Sequence, residues 1–160
     1  MNKPQKSDSR NVAGFFTLLR WKFIHPKKEK KLPNFLQYNE LQDIFDSIDT
    51  ETPLGLRNRL IIELLYATGL RVSELVNIKI KDIDIKNKEI RVLGKGSKER
   101  IVYFGEYAEK YLLEYINNSR RELLKDKNSS YLILNNQGNN ITSRGIENIK
   151  SSLCKEFLNK

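Results

Sequence analysis

The sequence predicts an α+β fold that is mostly helical, with a small three-stranded antiparallel sheet. Apolar residues recur with helical spacing on both sides of the segment 82–104, and within that segment apolar and polar residues alternate. The first pattern is typical of helices with one buried face, and the second is typical of strands. We therefore expect helices, then three short strands, then further helices along the chain.

The bulk composition indicates a globular chain. It has 160 residues, of which 39% are apolar and 31% charged, enough for one domain, or for one domain and a piece of another. No apolar run is long enough to span a bilayer, and the first ten residues do not resemble a secretory leader. The single cysteine, Cys154, excludes an internal disulfide and a cysteine-cluster metal site. We expect a cytoplasmic localisation and no membrane partner.

The charge balance is basic. The chain has 29 Lys and Arg against 20 Asp and Glu, a net charge of +9. Such a charge attracts nucleic acid or an anionic membrane. The abundance of lysine, isoleucine and asparagine also indicates an AT-rich genome, which raises the lysine count without a functional reason. Charge alone therefore does not choose between nucleic-acid binding and solubility.

The N-terminal region differs from the rest of the chain. The stretch VAGFFTLLRWKFI at 12–24 is apolar and aromatic and predicts a short helix. The stretch HPKKEKKLP follows, with Pro26, Pro33 and four lysines between them, and indicates a linker, because proline stops helices and like charges repel. We place a domain boundary here, with an N-terminal piece at 1–31 and the main domain at 32–160.

Three helical segments precede the predicted strands. The first is amphipathic, because its apolar residues repeat at i, i+3, i+4 and i+7 from Leu41 to Ile48. The second begins near Pro53 and ends at Gly69, residue types that commonly start and stop helices. The third is short and spans Arg71 to Val76. The apolar residues that bury the second helix are Leu56, Leu60, Ile61, Leu64 and Leu65.

The next segment, DIDIKNKEIRVLGKGSKERIVYF, reads as three antiparallel strands. A turn at 86–88 separates the first two strands, and GKGSK separates the second from the third. The alternating apolar residues are Ile83 and Ile85 in the first strand, Ile90 and Val92 in the second, and Ile101 and Tyr103 in the third.

The C-terminal part returns to helical spacing. A helix is predicted around Ala108 to Tyr115, followed by a brief, extended apolar segment at 131–134 and a polar loop, NNQGNN. Thr142 can cap a last helix. The apolar face of that helix is Ile146, Ile149, Leu153 and Phe157.

Several familiar kinds of site are absent from the sequence. GKGSK is not a P-loop, because the required earlier glycine is missing and Gly96 follows the lysine where Ser or Thr is needed. His25 is the only histidine and lies beside Pro26 in the linker, so neither a histidine metal site nor a Ser-His pair is expected. We therefore expect no metal.

Two features remain as candidates for chemistry. Arg71 and Glu74 are spaced i, i+3, so the carboxylate could fix the guanidinium for bidentate binding of a phosphate, or the two could form an ordinary surface ion pair. Lys95 stands between two glycines, where it could reach a phosphate or donate a proton, or could simply be an exposed lysine of a hairpin. Neither residue alone identifies a function.

Arg71, Glu74 and Lys95 lie in one run of sequence that resembles a known protein family. The run YATGLRVSELVNIKIKDIDIKNKEIRVLGKGSKERIVYFG resembles the first half of the catalytic domain of tyrosine recombinases, and is most similar to bacterial Xer-type enzymes and phage integrases. The resemblance covers roughly residues 32–158. In addition, VAGFFTLLRWKFIHP resembles the last helix of the family's DNA-clamping N-terminal domain, and KKLPNFL resembles its linker.

The resemblance implies a chemistry. These enzymes cut one DNA strand with a tyrosine, form a 3′-phosphotyrosyl link and pass the strand to a new partner, without a cofactor. Arg71 matches the first catalytic arginine, which binds the scissile phosphate, and Lys95 matches the hairpin lysine, the general acid. Glu74 matches the acidic residue that supports the arginine. Lys98 and Arg144 are further expected contacts with double-stranded DNA.

The sequence also departs from the family pattern. It has no His-x-x-Arg motif, no histidine after His25, no tryptophan other than Trp21, and no tyrosine in the family's nucleophile context. We therefore expect a truncated copy that is inactive alone but keeps some DNA affinity. Two alternatives are an accessory DNA-binding module that modulates a full-length recombinase, and one half of a split enzyme completed by a C-terminal half. A fourth interpretation is a nucleic-acid-binding domain outside this family.

Overall fold

The computed structural model describes residues 38–94, 96 and 98–158, and the side chains of residues 39–94, 96 and 98–155. Four predictions fall outside the described residues or side chains: the helix at 12–24, the domain boundary after residue 31, the site residue Lys95, and the apolar side chain of Phe157. They stay predictions. The described residues belong to one compact unit.

The first three helices are α1 (Tyr38–Asp46), α2 (Pro53–Thr68) and α3 (Val72–Leu75). Helix α2 begins as predicted, with Pro53 in the first turn and the Thr52 hydroxyl accepting a 3.1 Å hydrogen bond from the Gly55 N–H. It ends at Gly69, whose φ of 62° is in the left-handed region and whose N–H donates to the Leu65 carbonyl. These caps fix where the chain leaves the core toward Arg71.

The strands are β1 (Ile83–Asp84), β2 (Glu89–Leu93) and β3 (Glu99–Tyr103). They form an antiparallel sheet in the order β1-β2-β3, so the predicted fold class is confirmed. A short 3-10 turn at Ile80–Asp82 leads into β1. In the register of β2 and β3, Ile90 faces Val102, and Val92 faces Arg100.

The prediction that Ile101 and Tyr103 form the buried face of β3 is wrong. Ile101 and Tyr103 are 50% and 65% exposed, whereas Val102 is buried. The register explains this, because residues opposite each other on paired strands share a face of the sheet. Arg100 and Val102 are therefore on the same face as the buried residues Val92 and Ile90.

The C-terminal part contains α4 (Glu106–Glu114), α5 (Arg120–Leu124) and α6 (Ser143–Leu158). A π-helical turn, Tyr115–Ser119, joins α4 to α5. The extended segment is present, with isolated bridges from Tyr131 to Lys79 and from Leu134 to Asn140. The Thr142 hydroxyl caps α6 as predicted, accepting a hydrogen bond of 3.0 Å from the Gly145 N–H. None of the described helices has the length and apolarity needed to cross a membrane.

The core is built around α2. Its buried face packs against α4, α5, α6 and the π-helical turn, and it also contacts β3. A smaller apolar cluster joins the end of α1 to α6 through Ile44, Ile48 and Leu153. The fully buried residues of the main core are Leu60, Ile61, Leu64, Leu75, Ile90, Leu112, Tyr115, Leu132, Ile133, Leu134 and Ile146.

Three arginines are part of this core rather than of the basic surface. The Arg57 side chain donates to the Leu134 carbonyl, and Arg120 donates to the carbonyls of Ser129 and Tyr131. Arg59 pairs with Glu63 at 2.9 Å. All three arginines are buried, so their charges hold the fold and are not presented to a ligand. The net charge therefore overstates the basic surface.

Candidate phosphate-binding site

Arg71 lies at the point where the chain turns from α2 into α3. Its backbone is extended, with φ −73° and ψ 148°, and it is the N-cap residue of α3. The apolar neighbours Leu70 and Leu75 are buried and anchor this turn in the core. The Arg71 side chain is nevertheless 71% exposed. A fixed backbone thus presents an exposed guanidinium.

Glu74 holds this turn together. Its side chain is only 4% exposed. One carboxylate oxygen, Oε2, accepts from the Arg71 backbone N–H at 2.8 Å, and the other, Oε1, accepts from Arg71 Nη1 at 3.0 Å. The i, i+3 pair expected from the sequence is therefore present, with a buried carboxylate rather than an exposed one.

Arg100 is a site residue that the sequence analysis missed. It donates from Nη1 to Glu74 Oε1 at 2.7 Å and from Nη2 to Glu74 Oε2 at 2.9 Å. This is the bidentate geometry that makes arginine–carboxylate pairs strong and directional. The stretch ERIVY carries only a conditional signal for Arg100. If Val102 faces the core, so does Arg100, and an inward arginine requires an anionic partner, but the sequence does not show that Val102 faces the core.

These contacts keep Glu74 ionised. The hydrogen bond from Arg100 is the largest of the effects that lower the pKa of Glu74 to about 2, and the hydrogen bonds from the backbone and side chain of Arg71 act in the same direction, against the effect of burial. Two guanidinium groups therefore surround one carboxylate, which leaves one positive charge in excess. Because the Arg71 side chain is the most exposed of the three, that excess charge is accessible to an anion.

An open groove of about 400 Å³ lies beside this cluster. Its lining brings the end of β2 next to Arg71, and Gly94 directly precedes Lys95 in the sequence. The Gly94 N–H donates to the Lys98 carbonyl at 2.8 Å, which closes the end of the β2–β3 pair. The lining residues are Arg71, Ser73, Glu74, Asn77, Leu93 and Gly94.

The structure brings together some of the predicted site residues and not others. In the described part of the chain, the hydrogen-bond partners of the Glu74 carboxylate are Arg71 and Arg100. Lys98 and Arg144 are exposed and lie outside this ion-pair cluster. Arg144 is the second residue of α6, a helix that packs against α3.

The family model and the similar proteins indicate the same family. The model of the phage integrase family matches residues 34–159. The tyrosine recombinase XerC of Staphylococcus epidermidis is 44% identical over 132 residues, which cover 82% of this chain and 44% of the relative. The chain thus spans less than half the length of this relative.

Two solved structures resemble the fold. The crystal structure of the XerA recombinase matches with a TM-score of 0.68 and 28% identity, covering 79% of this chain and 44% of that one. The XerH site-specific recombinase, bound to its difH substrate in a pre-cleavage complex, matches with a TM-score of 0.66 and 28% identity, covering 79% of this chain and 37% of that one.

Proposed function

The chain belongs to the phage integrase family of tyrosine recombinases, and from that membership we propose that its main domain binds a backbone phosphate of double-stranded DNA through Arg71. The observation that carries this proposal is the state of Arg71, whose guanidinium is held on one side by the buried carboxylate of Glu74 while 71% of the side chain is exposed. An arginine held in this way loses little conformational freedom when it binds a second anion.

The chemistry of the site fits a phosphodiester. A guanidinium offers planar, paired N–H donors that match two non-bridging phosphate oxygens, and it stays charged at any physiological pH. In a recombinase, negative charge develops on these oxygens as the phosphate is attacked, and a fixed arginine stabilises that charge without reorganisation. Arg71 is thus suited to the role of the family's first catalytic arginine.

The remaining predicted residues extend the same proposal. Lys95 follows Gly94, which lines the groove beside Arg71, so a phosphate bound by Arg71 would lie near the segment that carries this lysine. Lys98 and Arg144 would add sequence-independent contacts with neighbouring phosphates. Binding to DNA would place the chain in the cytoplasm, which the lone cysteine also fits.

We further propose that this 160-residue polypeptide does not cleave DNA by itself. Arg71 and Lys95 can bind and polarise a phosphodiester, but neither forms the covalent link that the family makes with a tyrosine. The sequence contains no His-x-x-Arg motif, and none of its seven tyrosines has the family's nucleophile context. Without these groups both positioning and nucleophilic catalysis are lost. The function supported best is therefore DNA binding in site-specific recombination.

Binding to a labelled duplex of about 30 base pairs tests the first part of the proposal. We expect weak binding that falls steeply as salt rises, because the main contacts are with phosphates. Arg71→Ala should weaken binding about tenfold at low salt, the loss expected for one charged, bidentate contact. The matched control is Arg121→Ala, which removes an exposed arginine of α5. Equal losses in both variants would mean that only overall charge matters and would refute the proposed site.

A duplex nicked beside the cleavage position tests the second part, because a recombinase becomes trapped on such a substrate. We expect no protein–DNA band in a denaturing gel. A band that disappears with one Tyr→Phe substitution would show that the chain carries its own nucleophile and would overturn the proposal of inactivity.

A second candidate function is to form one half of a split recombinase, whose other half is a separate polypeptide. The intact Arg71–Glu74 pair favours it, because a polypeptide that contributes half of an active site must keep its phosphate-binding residues in place. If the covalent band appears only after a polypeptide with the family's C-terminal motifs is added, and is lost with Arg71→Ala, this candidate replaces the first.

A further inference from the structure

We propose that Arg100 is a positioning residue, which holds the Glu74 carboxylate and thereby keeps the guanidinium of Arg71 oriented and its charge available for phosphate binding. This inference rests on the proposed function of Arg71. Arg100 is not expected to be the main contact with the phosphate. Its role is to act on Arg71 through the carboxylate that both arginines share.

The first argument is the sharing of the two carboxylate oxygens. Oε1 of Glu74 accepts from Arg100 Nη1 at 2.7 Å and from Arg71 Nη1 at 3.0 Å. Oε2 accepts from Arg100 Nη2 at 2.9 Å and from the Arg71 backbone N–H at 2.8 Å. Because both oxygens accept hydrogen bonds from one planar guanidinium group, the carboxylate cannot rotate without breaking both hydrogen bonds to Arg100. The direction in which the carboxylate holds the Arg71 guanidinium is therefore set by Arg100 together with the Arg71 backbone N–H.

The second argument is the distribution of charge. A lone carboxylate beside Arg71 would neutralise it and would compete with a phosphate for its N–H donors. Arg100 makes two contacts with Glu74, at 2.7 and 2.9 Å, whereas the Arg71 guanidinium makes one contact at 3.0 Å. The carboxylate is thus balanced mainly by Arg100. The charge of Arg71 is left to attract an external anion.

The third argument is the position of Arg100 in the fold. It lies on the inward face of β3, opposite Val92, and reaches across to α3. A Cβ on Gly94 would lie 3.4 Å from Arg100 Nη1 and 3.7 Å from Glu74 Oε1, so the backbone that leads to Lys95 packs closely on this ion pair. Arg100 therefore ties the β2–β3 pair to the turn that presents Arg71.

A double-mutant cycle on duplex-DNA affinity separates positioning from an independent contact. The set is Arg71→Ala, Arg100→Gln and the double variant, with Arg121→Gln as the control for loss of one surface charge. We expect Arg100→Gln to weaken binding about three- to tenfold beyond the control, and to add little once Arg71 is already alanine, because residues that act through one group are not additive. If the two losses multiply, Arg100 acts independently and the inference is wrong.

The conservative variant Arg100→Lys provides a second readout and is used in the same cycle if Arg100→Gln does not fold. Lysine keeps the charge but cannot make the planar bidentate contact. We expect Arg100→Lys to be folded by circular dichroism, to raise the pKa of Glu74 measured by NMR, and to weaken binding only when Arg71 is present. Wild-type affinity in Arg100→Lys would overturn the inference.

Failure of the inference is distinguishable from failure of the proposed function. If Arg71→Ala binds DNA like the wild type, the function proposed for Arg71 fails and the inference fails with it. If Arg71→Ala weakens binding while Arg100→Gln matches the Arg121→Gln control, the proposed function survives and only the role of Arg100 is excluded.

Discussion

The guanidinium of Arg100 and the carboxylate of Glu74 lie 26 residues apart in the sequence and are joined by two parallel hydrogen bonds of 2.7 and 2.9 Å. One residue belongs to the outer strand β3 and the other to the short helix α3. Their contact connects the strand pair β2–β3 to the turn at Arg71.

The stability of the domain should depend on the ionisation of Glu74. The folded-state pKa of Glu74 is about 2, below its ordinary value of 4.5, so the unfolded chain binds this proton more readily. The stability that Glu74 contributes is therefore complete above about pH 4.5 and is lost as the pH falls toward 2. We expect Glu74→Gln to lower the free energy of unfolding by about 2 kcal/mol at pH 7. The loss should be clearly smaller at pH 3, measured by urea denaturation. Equal losses at both pH values would show that the charge of Glu74 is not responsible.

A side chain at Gly94 should disturb the ion pair. A Cβ there would already lie 3.4 Å from both Arg100 Nη1 and the Lys98 carbonyl oxygen. We expect Gly94→Val to displace the guanidinium of Arg100 and to raise the pKa of Glu74, measured by NMR titration of the carboxyl carbon. The matched control is Gly105→Val, because a Cβ on Gly105 meets no heavy atom within 4 Å. An unchanged pKa of Glu74 in Gly94→Val would contradict the close packing.

Two adjacent residues of β3 should respond differently to the same kind of substitution. Val102 is 9% exposed and Ile101 is 50% exposed. Val102→Thr places a hydroxyl in the core and should lower the free energy of unfolding by about 1–3 kcal/mol. Ile101→Thr, on the outer face, should change it by no more than about 0.5 kcal/mol. Chemical denaturation measures both. The reverse order would mean that the register of β2 and β3 differs from the one described.

The hydroxyl of Tyr115 should contribute to stability. This fully buried hydroxyl accepts a hydrogen bond of 3.1 Å from the Leu134 N–H, which ties the π-helical turn to the extended segment at 131–134. Tyr115→Phe leaves that buried N–H without this acceptor and should cost about 1–3 kcal/mol. Tyr107→Phe is the control, because Tyr107 is 76% exposed and should lose almost nothing. Thermal unfolding measures the stability of the two variants. Equal melting temperatures would contradict the stabilising role of the Tyr115 hydroxyl.

Local sequence signals determined the order of the elements and part of the site. Signals such as Pro53, Gly69 and Thr142 act within a few residues of the positions where they occur, so they can be recognised without knowledge of the fold. The same holds for Arg71 and Glu74, because residues three apart on one helical turn must be neighbours. These short-range relations are why the fold class and the Arg71–Glu74 pair could be predicted.

The partner of Glu74 was decided only by the tertiary structure. The stretch RIVY is apolar at three consecutive positions, so its pattern does not show which face of β3 is buried. Pairing with β2 selects the face, since it places Arg100 opposite Val92 and turns Ile101 outward. A shift of one residue would have reversed every side chain of the strand. The place of Arg100 in the site thus depends on a strand register and on a contact with a residue 26 positions earlier in the sequence. No local pattern encodes either of them.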